Sequence, residues 1–185
     1  MKAVIIAAGK GKRIRALSKD TPKPLVKLLG LALIERVILN LRQVGISDII
    51  VVIGYKGVQI KRALGNGEKY GVSITYVRNK NYHLANGLSV LAAKDYVDKP
   101  FLLLMADHMV DVAILKKLIA EPIHQSETIL CTDRFPPDYI DTNEATKVLI
   151  NETGMIKDIG KNIPEYNGVD IGVFKCSPNI FTALQ

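Results

Sequence analysis

The sequence predicts an α/β domain: a mixed, mostly parallel sheet with helices on both faces and an antiparallel addition at one edge. Three observations lead there. Short apolar runs suited to doubly buried strands alternate with segments of helical periodicity as far as Glu121. A glycine-rich, basic loop follows the first of these runs at once, giving the strand–loop–helix order of a ligand-binding α/β unit. Beyond about residue 127 the runs shorten and helical periodicity is lost, as in an antiparallel edge.

The elements follow in order. Ala3 to Ala8 is continuously apolar and predicts a strand from Lys2 to Ala8. Leu33, Ile34, Val37, Ile38, Leu41 and Val44 recur at helical spacing, and Gly45 supplies the stop. Asp48 opens the strand Ile49 to Ile53, Val58 to Leu64 reads as a helix, and Val72 to Val77 as a strand after the glycine-rich turn at Gly65 to Gly71. A helix is expected from about Gly87 to Tyr96, a strand from Phe101 to Met105, and a helix from Val112 to Glu121 that Asp111 caps and Pro122 ends. Thr128 to Thr132, Ala145 to Ile150 and Met155 to Ile159 are short strands, the last two joined by a turn at Glu152-Thr153-Gly154. Right-handed crossovers in such an alternation gather ligands at the strands' carboxyl ends.

Composition narrows the function classes. With 185 residues, 48% hydrophobic and 23% charged, the chain matches one globular domain and leaves no room for two full-sized ones. No apolar run approaches the roughly 18 residues needed to cross a bilayer, and the start lacks a signal-peptide layout, so a cytoplasmic setting is expected. Cys131 and Cys176 stand far apart without zinc-ligand spacing and are expected to be reduced core thiols. The net charge of +7 is localised: residues 1 to 30 carry eight basic side chains against Asp20 alone, while the rest of the chain is balanced. With only 6% aromatic residues, this is unlike the basic stripe with stacking rings of a nucleic-acid binder, and it reads as a compact polyanion site.

The segment Ala7-Ala8-Gly9-Lys10-Gly11-Lys12-Arg13 carries that charge. No Gly-Lys-Ser/Thr closes it, so it is not a P-loop, and Ile14 stands where the dinucleotide fingerprint needs its third glycine. What remains is two glycines that let backbone N–H groups converge on an anion, with Lys12 and Arg13 to neutralise phosphate oxygens. Thr21-Pro22-Lys23-Pro24-Leu25 adds a lysine held between two prolines, its ammonium presented from a stiff backbone. Asp107 follows the strand ending at Met105, so its carboxylate belongs at the same end of the sheet, where it can hold Mg²⁺ against triphosphate oxygens.

The pair Ala8-Gly9-Lys10-Gly11-Lys12-Arg13 and Pro22-Lys23-Pro24-Leu25 resembles the signature of the sugar-phosphate nucleotidyltransferase superfamily. Asn86-Gly87-Leu88-Ser89, Met105-Ala106-Asp107-His108, Glu144-Ala145-Thr146-Lys147-Val148, Ile159-Gly160-Lys161 and Val169-Asp170-Ile171-Gly172-Val173-Phe174 are similar, in order, to the CTP:inositol-1-phosphate cytidylyltransferases. The resemblance covers nearly the whole chain and implies a Rossmann-like, nucleotide-diphospho-sugar transferase-like fold.

That resemblance implies transfer of CMP from CTP to inositol 1-phosphate, with Arg13, Lys23 and Asp107 catalytic and Asp107 the Mg²⁺ ligand. Ala7 to Arg13, Lys23, Asn86 and Gly87 would hold the nucleotide, although the family more often shows Gly-Asn-Gly where this chain has Ala85-Asn86-Gly87. His108, Asp133, Lys147, Lys161 and Asp170 would face the acceptor, or His108 would orient Asp107. Acceptors such as a hexose 1-phosphate or phosphocholine, and a nucleotide-binding domain without turnover, stay open as alternatives. So does a homodimer. Relatives also continue past the Val169 to Phe174 strand into a segment with a second metal-binding aspartate, and some are fused to a membrane-embedded phosphotransferase. The expectation is therefore a single nucleotidyltransferase domain over residues 1–185 that lacks this C-terminal segment.

Overall fold

The computed structural model describes residues 1–11, 21–136 and 144–185. In chain order the elements are β1 (Ala3–Ala7), β2 (Lys27–Leu28), β3 (Leu31–Ala32), α1 (Leu33–Gln43), β4 (Asp48–Ile53), α2 (Gly57–Leu64), β5 (Ser73–Arg78), α3 (Gly87–Leu91), β6 (Phe101–Met105) and α4 (Val112–Ala120). They continue with β7 (Thr128–Asp133), β8 (Lys147–Ile150), β9 (Ile156–Gly160), β10 (Gly168–Cys176) and α5 (Ile180–Ala183). Two compact units emerge, one from Met1–Ile129 with Phe174–Gln185 and one from Leu130–Val173.

The first unit is the predicted parallel sheet, in the order β5-β4-β1-β6. All five residues of β1 are buried, which explains the unbroken apolar run: both faces of this strand meet side chains rather than water. Val4 and Ile6 face a cluster with Ile50, Val52, Phe101, Leu103 and Phe181, in which the Phe101 and Phe181 rings stack at 5.6 Å. Helix α1 buries Ile34, Val37, Ile38 and Leu41 along one stripe. The Glu35 carboxylate accepts the Ala32 N–H at 2.8 Å and so satisfies a donor at the helix start.

Helix α4 begins as expected, with the Asp111 carboxylate accepting the Ala113 N–H at 2.6 Å. Its last carbonyls are met by a buried lysine from β10: Lys175 donates to Ile119 O at 2.8 Å and to Glu121 O. A cation there satisfies orphan acceptors and suits the negative end of the helix.

One predicted helix is shorter than expected. Between Gly87 and Tyr96 the structure gives α3 and then a separate 3₁₀ turn at Lys94–Tyr96. Ala92 still bonds to Leu88 O, but Ala93 bonds to Val90 O and Tyr96 to Ala93 O, so the backbone tightens where periodicity alone predicts continuation.

The second unit is the antiparallel addition. β8 pairs antiparallel with both β10 and β9, in registers that place Lys147 opposite Val169 and opposite Gly160. Strand β7 also pairs with β10. The β8–β9 turn is held by Asn151, whose side-chain oxygen accepts from the N–H groups of Thr153 and Met155 at 3.1 and 2.8 Å, while Gly154 takes φ +83°.

Both cysteines are free thiols. Cys176 lies in the core, where burial pushes its thiol up to about 12 against the lowering effect of a Thr128 hydrogen bond. Cys131 is only half-buried, because β7 presents no fully buried position. No helix among the described residues is long and apolar enough to cross a membrane.

Ile5 is fully buried at the middle of the central strand. Ile5→Ala is expected to lower stability by about 2–5 kcal/mol. A urea titration should show a lower midpoint with an unchanged slope.

Candidate active site

Strand order sets where a ligand can sit. The chain runs outward from β1 to β4 and β5, then returns to place β6 on the other side of β1. That reversal opens a crevice at the carboxyl ends of β1 and β6, the switch point at which α/β sheets bind ligands. Parallel pairing aligns those ends: Ala7 lies opposite Ile53 and Ile6 opposite Met105.

Ala7 and Ala8 are buried at the end of β1, and Ala8 O accepts the Tyr55 N–H at 3.0 Å. After them the chain opens. A Cβ at Gly9 would meet nothing within 4 Å, and Lys10 is exposed. Gly11 has φ +57°, and a Cβ there would come within 2.7 Å of Lys23 Cβ, so both backbone angle and crowding call for glycine. The roles expected of Lys12 and Arg13 lie outside the described residues.

Lys23 opens a 3₁₀ turn from Lys23 to Leu25. Pro22 precedes it in extended conformation, Pro24 is buried within it, and Leu25 N–H bonds to Pro22 O at 2.8 Å. The lysine stem thus rises from a fixed base beside Gly11, as its proline flanks predict. Its ammonium makes an ion pair with Oδ2 of Asp107. A single lysine side chain therefore bridges the glycine loop and the carboxylate at the end of β6.

Asp107 is set by its strand: Ala106 N–H bonds to Ile6 O at 3.1 Å, which ties the exit of β6 to β1. The other carboxylate oxygen, Oδ1, lies 2.9 Å from Nδ1 of His108. Burial alone would raise the Asp107 pKa. The hydrogen bonds of His108 and Lys23, with the Lys23 and His108 charges, outweigh it and hold the carboxyl well below the usual carboxylate range. A carboxylate has about four lone-pair positions, so these two partners leave acceptor capacity for a cation. Among the described residues no group of three or more His, Cys, Asp and Glu is arranged to hold a metal. One carboxylate in this position could supply a single oxygen ligand to a hard cation such as Mg²⁺.

On the β4 side, two residues join the site that sequence reasoning missed. A Cβ at Gly54 would come within 2.5 Å of Tyr82 Cβ and 2.8 Å of Ala8 O, so this glycine lets the segment after β5 close onto the end of β1. Its signal was present: Gly54 follows β4 as Gly9 follows β1. Lys10 Nζ lies 5.9 Å from the Tyr82 ring centroid. Buried Asn79 fixes the same segment, donating to Ser89 Oγ at 2.9 Å and accepting the Asn81 N–H at 2.8 Å. Asn86 is exposed at the start of α3. Gly87 has a packing reason of its own, because a Cβ would lie 3.0 Å from Leu184 Cδ2.

The expected acceptor residues other than His108 lie in the second unit, each with a local partner. Lys147 Nζ sits 5.0 Å from the Tyr166 ring centroid, and Lys161 Nζ is 3.8 Å from a Glu144 carboxylate oxygen. Asp133 accepts the Phe135 N–H at 2.9 Å, and Asp170 accepts the Gly172 N–H at 2.6 Å. The two lysines thus engage different neighbours.

Residues 2–138 match the nucleotidyl transferase family. The chain belongs to it. Its resemblances extend past the family segment: it is 35% identical over 176 residues to the bifunctional IPC transferase and DIPP synthase of Rubrobacter xylanophilus, covering 95% of this chain and 38% of that protein. The protein of the same name from Aquifex aeolicus is 34% identical over 183 residues, covering 99% of this chain and 40% of its own length. This chain thus spans about two fifths of the length of those relatives. Among solved structures it is similar to the inositol-1-phosphate CTP transferase from T. maritima, with a TM-score of 0.85 and 29% identity over 98% of this chain and 72% of that one. The mostly parallel sheet with an antiparallel edge, expected from sequence, is the fold of this nucleotidyl transferase.

Because the Asp107 carboxyl titrates lower in the fold than in the unfolded chain, its contribution is complete above the unfolded value near 3.9. It drains away as pH falls from there toward the lowered folded value. Asp107→Asn should therefore unfold at a lower temperature than the native chain at pH 7, and the gap should narrow below about pH 4 in thermal scans.

Proposed function

We propose that this chain transfers the CMP part of CTP to the phosphate of inositol 1-phosphate, giving CDP-inositol and pyrophosphate. The observation that carries the reading is the meeting of Gly11, Lys23 and Asp107 at the carboxyl ends of β1 and β6. That meeting combines a glycine loop, an ammonium carried on a fixed backbone turn and a carboxylate at a switch point, which is what a nucleotide's phosphates require. Choice of substrates is supported by the names of the relatives from R. xylanophilus and A. aeolicus and of the structural neighbour from T. maritima.

In this reaction an oxygen of the inositol phosphate attacks the α-phosphorus of CTP. The new P–O bond forms opposite the breaking bond to the bridging oxygen, which leaves with pyrophosphate. The nucleophile is already ionised near neutral pH, so the chain need supply no general base. Amides of Gly9 to Gly11 and the side chains of Lys10 and Lys23 neutralise the phosphates and keep them aligned, with Lys12 and Arg13 adding charge by their place in the motif. Magnesium, held by Asp107, would supply further neutralisation of the transferring phosphate oxygens. His108 steadies Asp107, and Asn86 and Gly87 take the base and ribose; the family resemblance is what supports an acceptor role for Lys147, Lys161, Asp133 and Asp170.

A hexose 1-phosphate acceptor is the second reading, supported by 37% identity over 113 residues to the N-acetylmuramate alpha-1-phosphate uridylyltransferase of Neisseria meningitidis, covering 60% of this chain and 49% of that protein. Pyrophosphate release with CTP or UTP against inositol 1-phosphate and hexose 1-phosphates separates the two. Lys23→Ala is expected to fold and to lose about 10²–10³ in turnover, the scale of one preorganised charge-stabilising group. Near-native turnover by the folded variant would overturn the assignment.

A further inference from the structure

Lys23 has two anionic destinations from one backbone position. Its stem rises beside Gly11, in the loop proposed above to hold phosphate, yet its ammonium rests on Asp107 Oδ2. His108 holds the other oxygen, Oδ1, so a metal bound at Oδ2 would share that oxygen with the ammonium. A dication arriving at that oxygen would face the ammonium at close range, and like charges so placed repel strongly in a partly buried site. The turn at Lys23–Leu25 is fixed by its proline flanks, but the four-carbon stem can swing.

We propose that Lys23 is a placeholder cation: in the nucleotide-free protein it occupies the carboxylate oxygen that a divalent metal uses, and phosphates arriving at the glycine loop draw it away. Resting on the nucleotide reading above, this adds an order to the site, because metal and nucleotide then favour each other's binding. Such coupling is reciprocal. Nucleotide frees Asp107 for the metal, and metal frees Lys23 for the phosphates. Without nucleotide the Asp107 carboxylate is therefore neutralised by Lys23 and holds metal weakly, which limits metal loading without substrate.

The test is Mn²⁺ binding to the 185-residue chain without nucleotide, read from free Mn²⁺ by electron paramagnetic resonance. Lys23→Met, similar in length and uncharged, is expected to bind Mn²⁺ at least about tenfold more tightly than the native chain, within the usual span of site–site coupling. Adding Asp107→Asn to it should abolish the gain. Lys23→Gln repeats the comparison with a polar end, and circular dichroism checks that each variant is folded. A parallel dialysis measures Mn²⁺–CTP binding by the native chain. Unchanged Mn²⁺ affinity in folded Lys23 variants, with Mn²⁺–CTP still bound by the native chain, overturns the placeholder and leaves the nucleotide reading standing. Failure of the native chain to bind Mn²⁺–CTP overturns both.

Discussion

The site depends on β1 being hydrogen-bonded in parallel to strands on both sides. Pairing with β4 and β6 fixes three carboxyl ends at one level. Gly9, Gly54 and Asp107 are therefore delivered to one edge of the sheet by backbone geometry, before any side chain contributes. This arrangement requires a strand buried along its length, met by an apolar residue at every position of β1.

On that edge the chain uses small residues for approach and stiff ones for aim. Gly11 admits Lys23, and Gly54 admits Tyr82, each at separations a Cβ would forbid. Pro22 and Pro24 set the backbone from which the Lys23 ammonium reaches Asp107. The result is a carboxylate kept ionised in a half-buried place by its own neighbours. One lysine and one histidine do this by hydrogen bonding and charge.

Much of the polar structure serves the fold first. Asp111 caps α4, Lys175 closes its far end, and Asn151 builds the β8–β9 turn. In the second unit the side chains considered for the acceptor also make local contacts: Asp170 to the Gly172 amide, Asp133 to the Phe135 amide and Lys161 to Glu144. A substrate reaching them would exchange one partner for another, as it would at Lys23. Gly87 shows the same double duty, since its lack of a side chain also clears Leu184.

Sequence by itself determined most of the strand and helix pattern, though not β2, β3 or α5, together with the Asp111 cap, the basic loop and the family, because apolar periodicity and turn chemistry are local and the phosphate motif is contiguous. Its misjudgement at Gly87 to Tyr96 was also local, as no glycine or proline marks the shift from α to 3₁₀ spacing at Ala93. Tertiary structure alone decided that Lys23 lies on Asp107, that His108 takes the other oxygen, and that Gly54 and Tyr82 close on Ala8. Lys23 and Asp107 are 84 positions apart. What joins them is the order of strands in the sheet, a property of which segments pair, and no short stretch of residues encodes it.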